Sequence, residues 1–210
     1  MNSAKIIQKE IKRKHLKLIL DTKIDFYAGQ FIVVYDNKNN SAIYTVAQRN
    51  KNENLELFIT NIFHGEVGSY LASLNIGDTI NFDGPQGVSK LMKIKKDKLF
   101  FIALGSGISS YRTLINNLEN KKEITLIYSN RYEDDFFYDN EFKKMNSIKY
   151  IPIISSKLNN RDELIKLIIK NLPKDKENYQ FFISGSMQAA TDIQAHLLEN
   201  NIKKEQIIIN

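Results

Sequence analysis

Two glycine-bearing junctions in the second half of the chain carry the residue types that bind a phosphate group. The apolar run L-F-F-I-A-L leads directly into G-S-G-I-S-S at residues 105–110, and the run Y-Q-F-F-I-S leads into G-S-M at residues 185–187. Glycine lets the backbone turn tightly and come close to a ligand. A helix that begins just after such a turn offers unpaired N–H groups and the positive end of its dipole. Gly105, Ser106, Gly107, Ile108 and Ser109 are therefore candidates at the first junction, and Ser184, Gly185, Ser186 and Met187 at the second. The third glycine of a dinucleotide fingerprint is missing, so an ordinary strand–helix turn explains either junction alone. Two such junctions in one chain are more telling.

These junctions need a scaffold that brings strand ends together. Apolar runs at 99–104, 124–128, 148–154, 179–184 and 206–209 alternate with helical patterns. Ile108, Tyr111, Leu114, Ile115 and Leu118 form one apolar stripe. Leu164, Leu167, Ile168 and Leu172 form another behind the expected cap Asn160, and Met187, Ala190, Ile193 and Leu197 a third. Continuous apolar strands alternating with amphipathic helices predict a doubly wound α/β domain around a five-stranded parallel sheet. Such sheets bind ligands at the C-terminal strand ends, where strand order reverses.

The first half has a different period. Short β-branched and aromatic runs at 5–11, 15–20, 30–35, 42–47, 55–60 and 79–83 are separated by polar turns. Their even spacing predicts a closed antiparallel β-barrel, with one short helix carrying Val67, Tyr70, Leu71 and Leu74. The basic stretch at 92–98 is the expected linker, giving domains at 1–95 and 96–210.

Composition narrows the chemistry. The chain has 210 residues and no cysteine, which excludes disulfides, iron–sulfur clusters and thiolate-bound zinc. His15, His64 and His196 lack metal-ligand spacing, so no metal site is expected. No run is long and apolar enough to span a bilayer, and the N-terminus lacks the apolar core of a secretory signal, so a cytoplasmic location is expected. The net charge of +6 follows from a lysine-rich composition and calls for no nucleic-acid partner. The first 23 residues hold seven Lys/Arg against Glu10 and Asp21. They form either a solvated strand face or a docking surface for an acidic partner.

Six segments, in order, carry a resemblance. L-F-F-I-A-L-G-S-G-I-S-S-Y-R-T-L resembles the nicotinamide-nucleotide signature of the ferredoxin–NADP reductase superfamily. I-T-L-I-Y-S-N-R-Y-E-D-D-F-F-Y-D-N-E-F and F-F-I-S-G-S-M resemble its second and third nucleotide segments. G-D-T-I-N-F-D-G-P-Q-G resembles its barrel-closing strand, A-G-Q-F the barrel strand before the flavin motif, and A-I-Y-T the flavin motif R-x-Y-[ST] itself.

The resemblance implies a flavin-binding barrel followed by an NAD(P)-binding domain. It puts Tyr44 against the flavin, with the Thr45 hydroxyl near the hydride-accepting nitrogen and Val46 beside them. An aromatic face and a small hydroxyl suit a flat redox-active ring. It puts a pyrophosphate on the turn G-E-V-G-S-Y-L: Gly65, Glu66, Val67, Gly68 and Ser69. Ser184 takes the place of a cysteine beside the nicotinamide, so Thr45 and Ser184 are the expected catalytic residues.

The departures matter too. Ala42 stands where the family has a phosphate-clamping arginine, Gly68 occupies the usual hydroxyl position, and Ser186 replaces a proline. These departures imply weakly held FAD, FMN, or flavin used as a dissociable substrate.

The implied reaction passes hydride from NADPH or NADH to the flavin. Electrons then go to a separate acceptor, either a ferredoxin- or flavodoxin-like carrier or a small molecule. An NAD(P)H:flavin reductase and a non-catalytic nucleotide- or partner-binding subunit are the alternatives. Ser129 and Arg131 end the second sheet strand with no acid before Glu133, which favours the 2′-phosphate of NADPH. Alternatively, Arg131 pairs with Asp134 or Asp135.

Overall fold

The computed structural model describes residues 1–88 and 93–210. Met92, at the head of the expected linker, lies outside the described residues. The chain divides into two compact units, Met1–Met92 with Ser109–Asn117, and Lys93–Ile108 with Leu118–Asn210.

The first unit contains β1 (Asn2–Lys12), β2 (His15–Leu20), β3 (Phe31–Tyr35), β4 (Ser41–Thr45), β5 (Leu55–Thr60), α1 (Glu66–Ser73) and β6 (Thr79–Gln86). The strands form one antiparallel sheet in the order β4-β3-β6-β1-β2-β5. Alternation in β2 buries Leu16, Leu18 and Leu20, which meet Leu55, Leu57, Ile32, Val34 and Phe82 in a common core.

The sheet is barrel-like but not closed. Its two edge strands, β4 and β5, meet at one isolated bridge, Val46–Leu57. The expected strand at 42–47 ends at Thr45, and Val46 and Ala47 continue past it without a full ladder.

Part of the basic N-terminal segment is committed internally. Lys9 Nζ donates to the carbonyls of Ala72, at 2.6 Å, and Leu74, closing the C-terminal end of α1. Lys12 and Lys17 pair with Glu10 at 3.0 and 2.7 Å.

The second unit contains β7 (Lys98–Leu104), β8 (Glu123–Asn130), α3 (Asp139–Lys143), β9 (Ile148–Ile154), α4 (Arg161–Lys170), β10 (Tyr179–Ser184), α5 (Met187–Glu199) and β11 (Ile207–Ile209). All its strand pairs are parallel, in the order β11-β10-β7-β8-β9. The sheet thus starts at β7, grows to one side through β8 and β9, and restarts on the other side with β10, so strand order reverses between β7 and β10. Pro152 is tolerated because β9 is an edge strand. Asn160 caps α4 by accepting from Glu163 N at 3.1 Å, as its position predicts. The short α3 was not expected from sequence. α2 (Ile108–Leu118) leaves the β7 junction, and its residues 109–117 pack in the first unit. No helix among the described residues is long and apolar enough to cross a membrane.

Candidate functional site

Tyr44 and Thr45 end β4, opposite Ile32 and Phe31 of β3. Tyr44 is half-buried beside the barrel core, and burial pushes its phenol up to about 12, so the ring stays neutral. Ala42 packs on the same core cluster. Val46 is fully buried and donates its N–H to Gln30 O at 3.0 Å. Arg49 Nη2 pairs with Glu53 Oε1 at 2.5 Å.

The turn before α1 combines freedom and open donors. Gly65 has φ +143, a Cβ there would meet nothing within 4 Å, and α1 has no side-chain cap. Its first N–H groups are therefore the turn's offer to an anion. The Ser69 hydroxyl donates to Ile62 O at 2.9 Å, and Val67 is buried in the core. What the turn presents is backbone. A cleft of about 490 Å³ opens beside it, lined by Asp36, Lys38, Gly65, Glu66, Ser69 and Tyr70 among others.

The two glycine junctions of the second unit meet at the strand-order reversal, where β7 and β10 are neighbours. A Cβ on Gly107 would lie 2.4 Å from Ser184 O and 2.9 Å from Gly185 N. A Cβ on Gly185 would lie 2.9 Å from Leu104 Cβ. Gly107 was expected to admit a ligand. In the structure the backbone that approaches it is the Ser184–Gly185 turn, and glycine is required by that packing. Gly105, at φ +55 with nothing near its Cβ position, is the open member of the pair.

Around these glycines, Ser106 is half-buried, while Ile108, Ser109 and Ser184 are buried. Ser186 caps α5, its hydroxyl accepting from Ala189 N, and Met187 is exposed at the helix start.

Ser129 and Asn130 are buried at the end of β8, and the Asn130 Nδ2 has no hydrogen-bond partner among the described residues. Arg131 is exposed. It forms no ion pair with Asp134 or Asp135 among the described residues, and its guanidinium lies 5.5 Å from the Tyr132 ring centre. No metal-ligand cluster occurs among the described residues.

Sequence reasoning missed a buried polar cluster just beyond Thr45. Arg112 Nη1 donates to Ala47 O and to Glu56 Oε1, both at 2.8 Å, and Thr113 Oγ1 donates to Gln48 O at 2.5 Å. The one available signal was the residue type. Arg112 is one of only five arginines among 30 basic residues, and it sits in an otherwise neutral helix.

Comparisons with known proteins bear on the two domains and the fold. Family models for an oxidoreductase FAD-binding domain and an oxidoreductase NAD-binding domain match residues 1–90 and 101–195. The chain is 34% identical over 115 residues to NADH-cytochrome b5 reductase 1 of Laccaria bicolor, covering 51% of this chain and 37% of that protein. A probable flavin reductase of Aliivibrio fischeri is 21% identical, covering 97% of this chain and 93% of that protein. The chain spans less than half the length of several curated relatives that it matches. A ferredoxin NADP+ reductase from Neisseria gonorrhoeae, solved with bound FAD and NADP, superimposes with a TM-score of 0.85 at 20% identity, over 100% of this chain and 97% of that one. The chain thus carries an oxidoreductase FAD-binding domain followed by an oxidoreductase NAD-binding domain along nearly its whole length, in the fold of a ferredoxin NADP+ reductase.

Proposed function

We propose that this protein is an NAD(P)H-dependent flavin oxidoreductase, with a flavin domain at 1–95 and a nucleotide domain at 96–210. The observation that carries this reading is the uncapped α1 N-terminus with its open Gly65 and adjoining cleft, in the same unit as the half-buried, neutral Tyr44. These residues fit FAD: a phosphate suits the free N–H groups, and a flat ring suits the tyrosine face.

Bound flavin supplies a ring that takes a hydride from NAD(P)H and passes electrons on. The protein's part is positioning. Tyr44 would pack on the ring, the Thr45 hydroxyl would hydrogen-bond to it, and residues 65–69 would hold the pyrophosphate through backbone N–H groups. The turns at 105–109 and 184–187 would hold the dinucleotide, with Ser184 on the nicotinamide side. Ser129 and Arg131 receive the 2′-phosphate of NADPH. Electrons leave to a separate carrier, ferredoxin- or flavodoxin-like, or to a small molecule.

A second reading, flavin as a dissociable substrate, is favoured by one cluster of observations. Ala42 brings no charge, Arg49 is tied to Glu53, and the Ser69 hydroxyl donates to Ile62. The flavin would then be held without a guanidinium, and a relative matched along nearly its full length carries the name of a probable flavin reductase.

The nucleotide assignment is tested by comparing kcat/KM for NADPH and NADH, with FAD present, in the parent and in Arg131→Ala. The parent should prefer NADPH. The variant should lose about 1.5–3 kcal/mol of NADPH efficiency, typical of a hydrogen bond to a charged group, and keep its NADH efficiency. Equal losses for both nucleotides, or a parent that prefers NADH, would contradict the assignment.

A further inference from the structure

The flavin residues Tyr44 and Thr45 sit at the end of an edge strand, where a sheet is weakest. β4 has β3 on one side, and on the other its register with β5 is reduced to the Val46–Leu57 bridge. An edge strand with few ladder bonds opens at low cost unless other groups hold it.

Here other groups do. The segment after Thr45 is held by the sheet through Val46 N to Gln30 O, at 3.0 Å, and Ala47 N to Glu56 O, at 2.8 Å. Its carbonyls are taken by α2. Arg112 donates to Ala47 O and Thr113 to Gln48 O, while Glu56, on β5, balances the guanidinium. Ala47, Gln48, Glu56, Arg112 and Thr113 are all buried. Burying a guanidinium is costly unless its hydrogens are matched, and here one nitrogen serves a carbonyl and a carboxylate together. A lysine presents a point charge without this fork.

We propose that Arg112, Thr113 and Glu56 form a clasp that positions the flavin strand. Arg112 and Thr113 are positioning residues. They act on flavin through Ala47 and Gln48, two and three residues beyond Thr45. The inference rests on the reading that Tyr44 and Thr45 hold flavin.

The test is FAD affinity, measured by quenching of flavin fluorescence on titration with the apoprotein. Folding of each variant is checked by circular dichroism at the same temperature. Thr113→Val keeps the shape and the ion pair and removes one donor, and Arg112→Ala removes the guanidinium. Each should weaken FAD binding by about tenfold or more, the factor that corresponds to ~1.4 kcal/mol, and Arg112→Lys should recover part of the Arg112→Ala loss. Lys98→Met, which breaks the Lys98–Asp175 pair of 2.8 Å far along the chain, should lower stability and leave FAD affinity unchanged.

If Arg112→Ala does not fold, Thr113→Val decides. Folded variants that bind FAD as the parent does, or a Lys98→Met variant that loses affinity equally, would overturn the clasp. A parent that binds no FAD would overturn the functional reading itself, and the clasp with it.

Discussion

Gly107→Ala is expected to destabilise the protein strongly and to abolish productive NAD(P)H use. The added methyl would lie 2.4 Å from Ser184 O and 2.5 Å from the Ser184 carbonyl carbon. Both are backbone atoms of β10, which is parallel to β7 in the middle of the sheet. No side chain can swing away to relieve the contact, so one of the two turns must shift. Overpacking of this kind costs about 1–3 kcal/mol, occasionally more, and the rigid neighbour points to the upper end.

Gly105→Ala is the comparison. A methyl there meets nothing within 4 Å, and only the left-handed backbone at φ +55 opposes it, costing about 1–2 kcal/mol. Urea unfolding should therefore rank Gly107→Ala as the more damaging. A Gly107→Ala protein as stable as the parent would show that the two turns are not pressed together.

Glu56→Ala should have the largest stability effect of any single change outside the apolar cores. Removing the carboxylate leaves the Arg112 guanidinium buried without its counter-charge. Breaking a buried pair by deleting one partner costs about 3–5 kcal/mol. Glu56→Gln retains an acceptor oxygen and should cost less. The contrasting pair is Arg49–Glu53, where the arginine side chain is 49% exposed. Glu53→Ala should cost about 0.2–1 kcal/mol, as exposed pairs do. Both are read from denaturant midpoints at constant m-value. Equal small losses for Glu56→Ala and Glu53→Ala would show that the Glu56–Arg112 pair contributes little.

The sequence made the architecture legible wherever burial is periodic. The apolar runs of β7, β8 and β10 become parallel strands with buried centres, because a strand covered on both faces favours a continuous apolar run. The β2 alternation likewise locates the barrel core. Closure of the barrel was not legible, because it depends on how far β4 runs beside β5. A one-bridge contact leaves no trace in the hydrophobic pattern.

The strand–helix glycines were legible as turns, but the reason for Gly107 was not. Its nearest neighbour is the backbone at residue 184, 77 positions along the chain, and no local pattern reveals that approach. The Arg112 clasp was hidden for a similar reason. Its helix has a readable apolar stripe, and the opposite, polar face of such a helix ordinarily points to water. Here Ser109, Ser110, Arg112 and Thr113 are buried as well.

Whether one chain holds a flavin and reduces it with NAD(P)H is read most directly from an anaerobic titration of the purified protein, supplied with one equivalent of FAD, with NADPH while the visible absorbance of the oxidised flavin is followed. The absorbance should bleach in proportion to the NADPH added, far faster than for free FAD under the same conditions, and Tyr44→Ala should slow the bleaching by weakening the flavin site. A flavin spectrum left unchanged by excess NADPH and by excess NADH would contradict this activity.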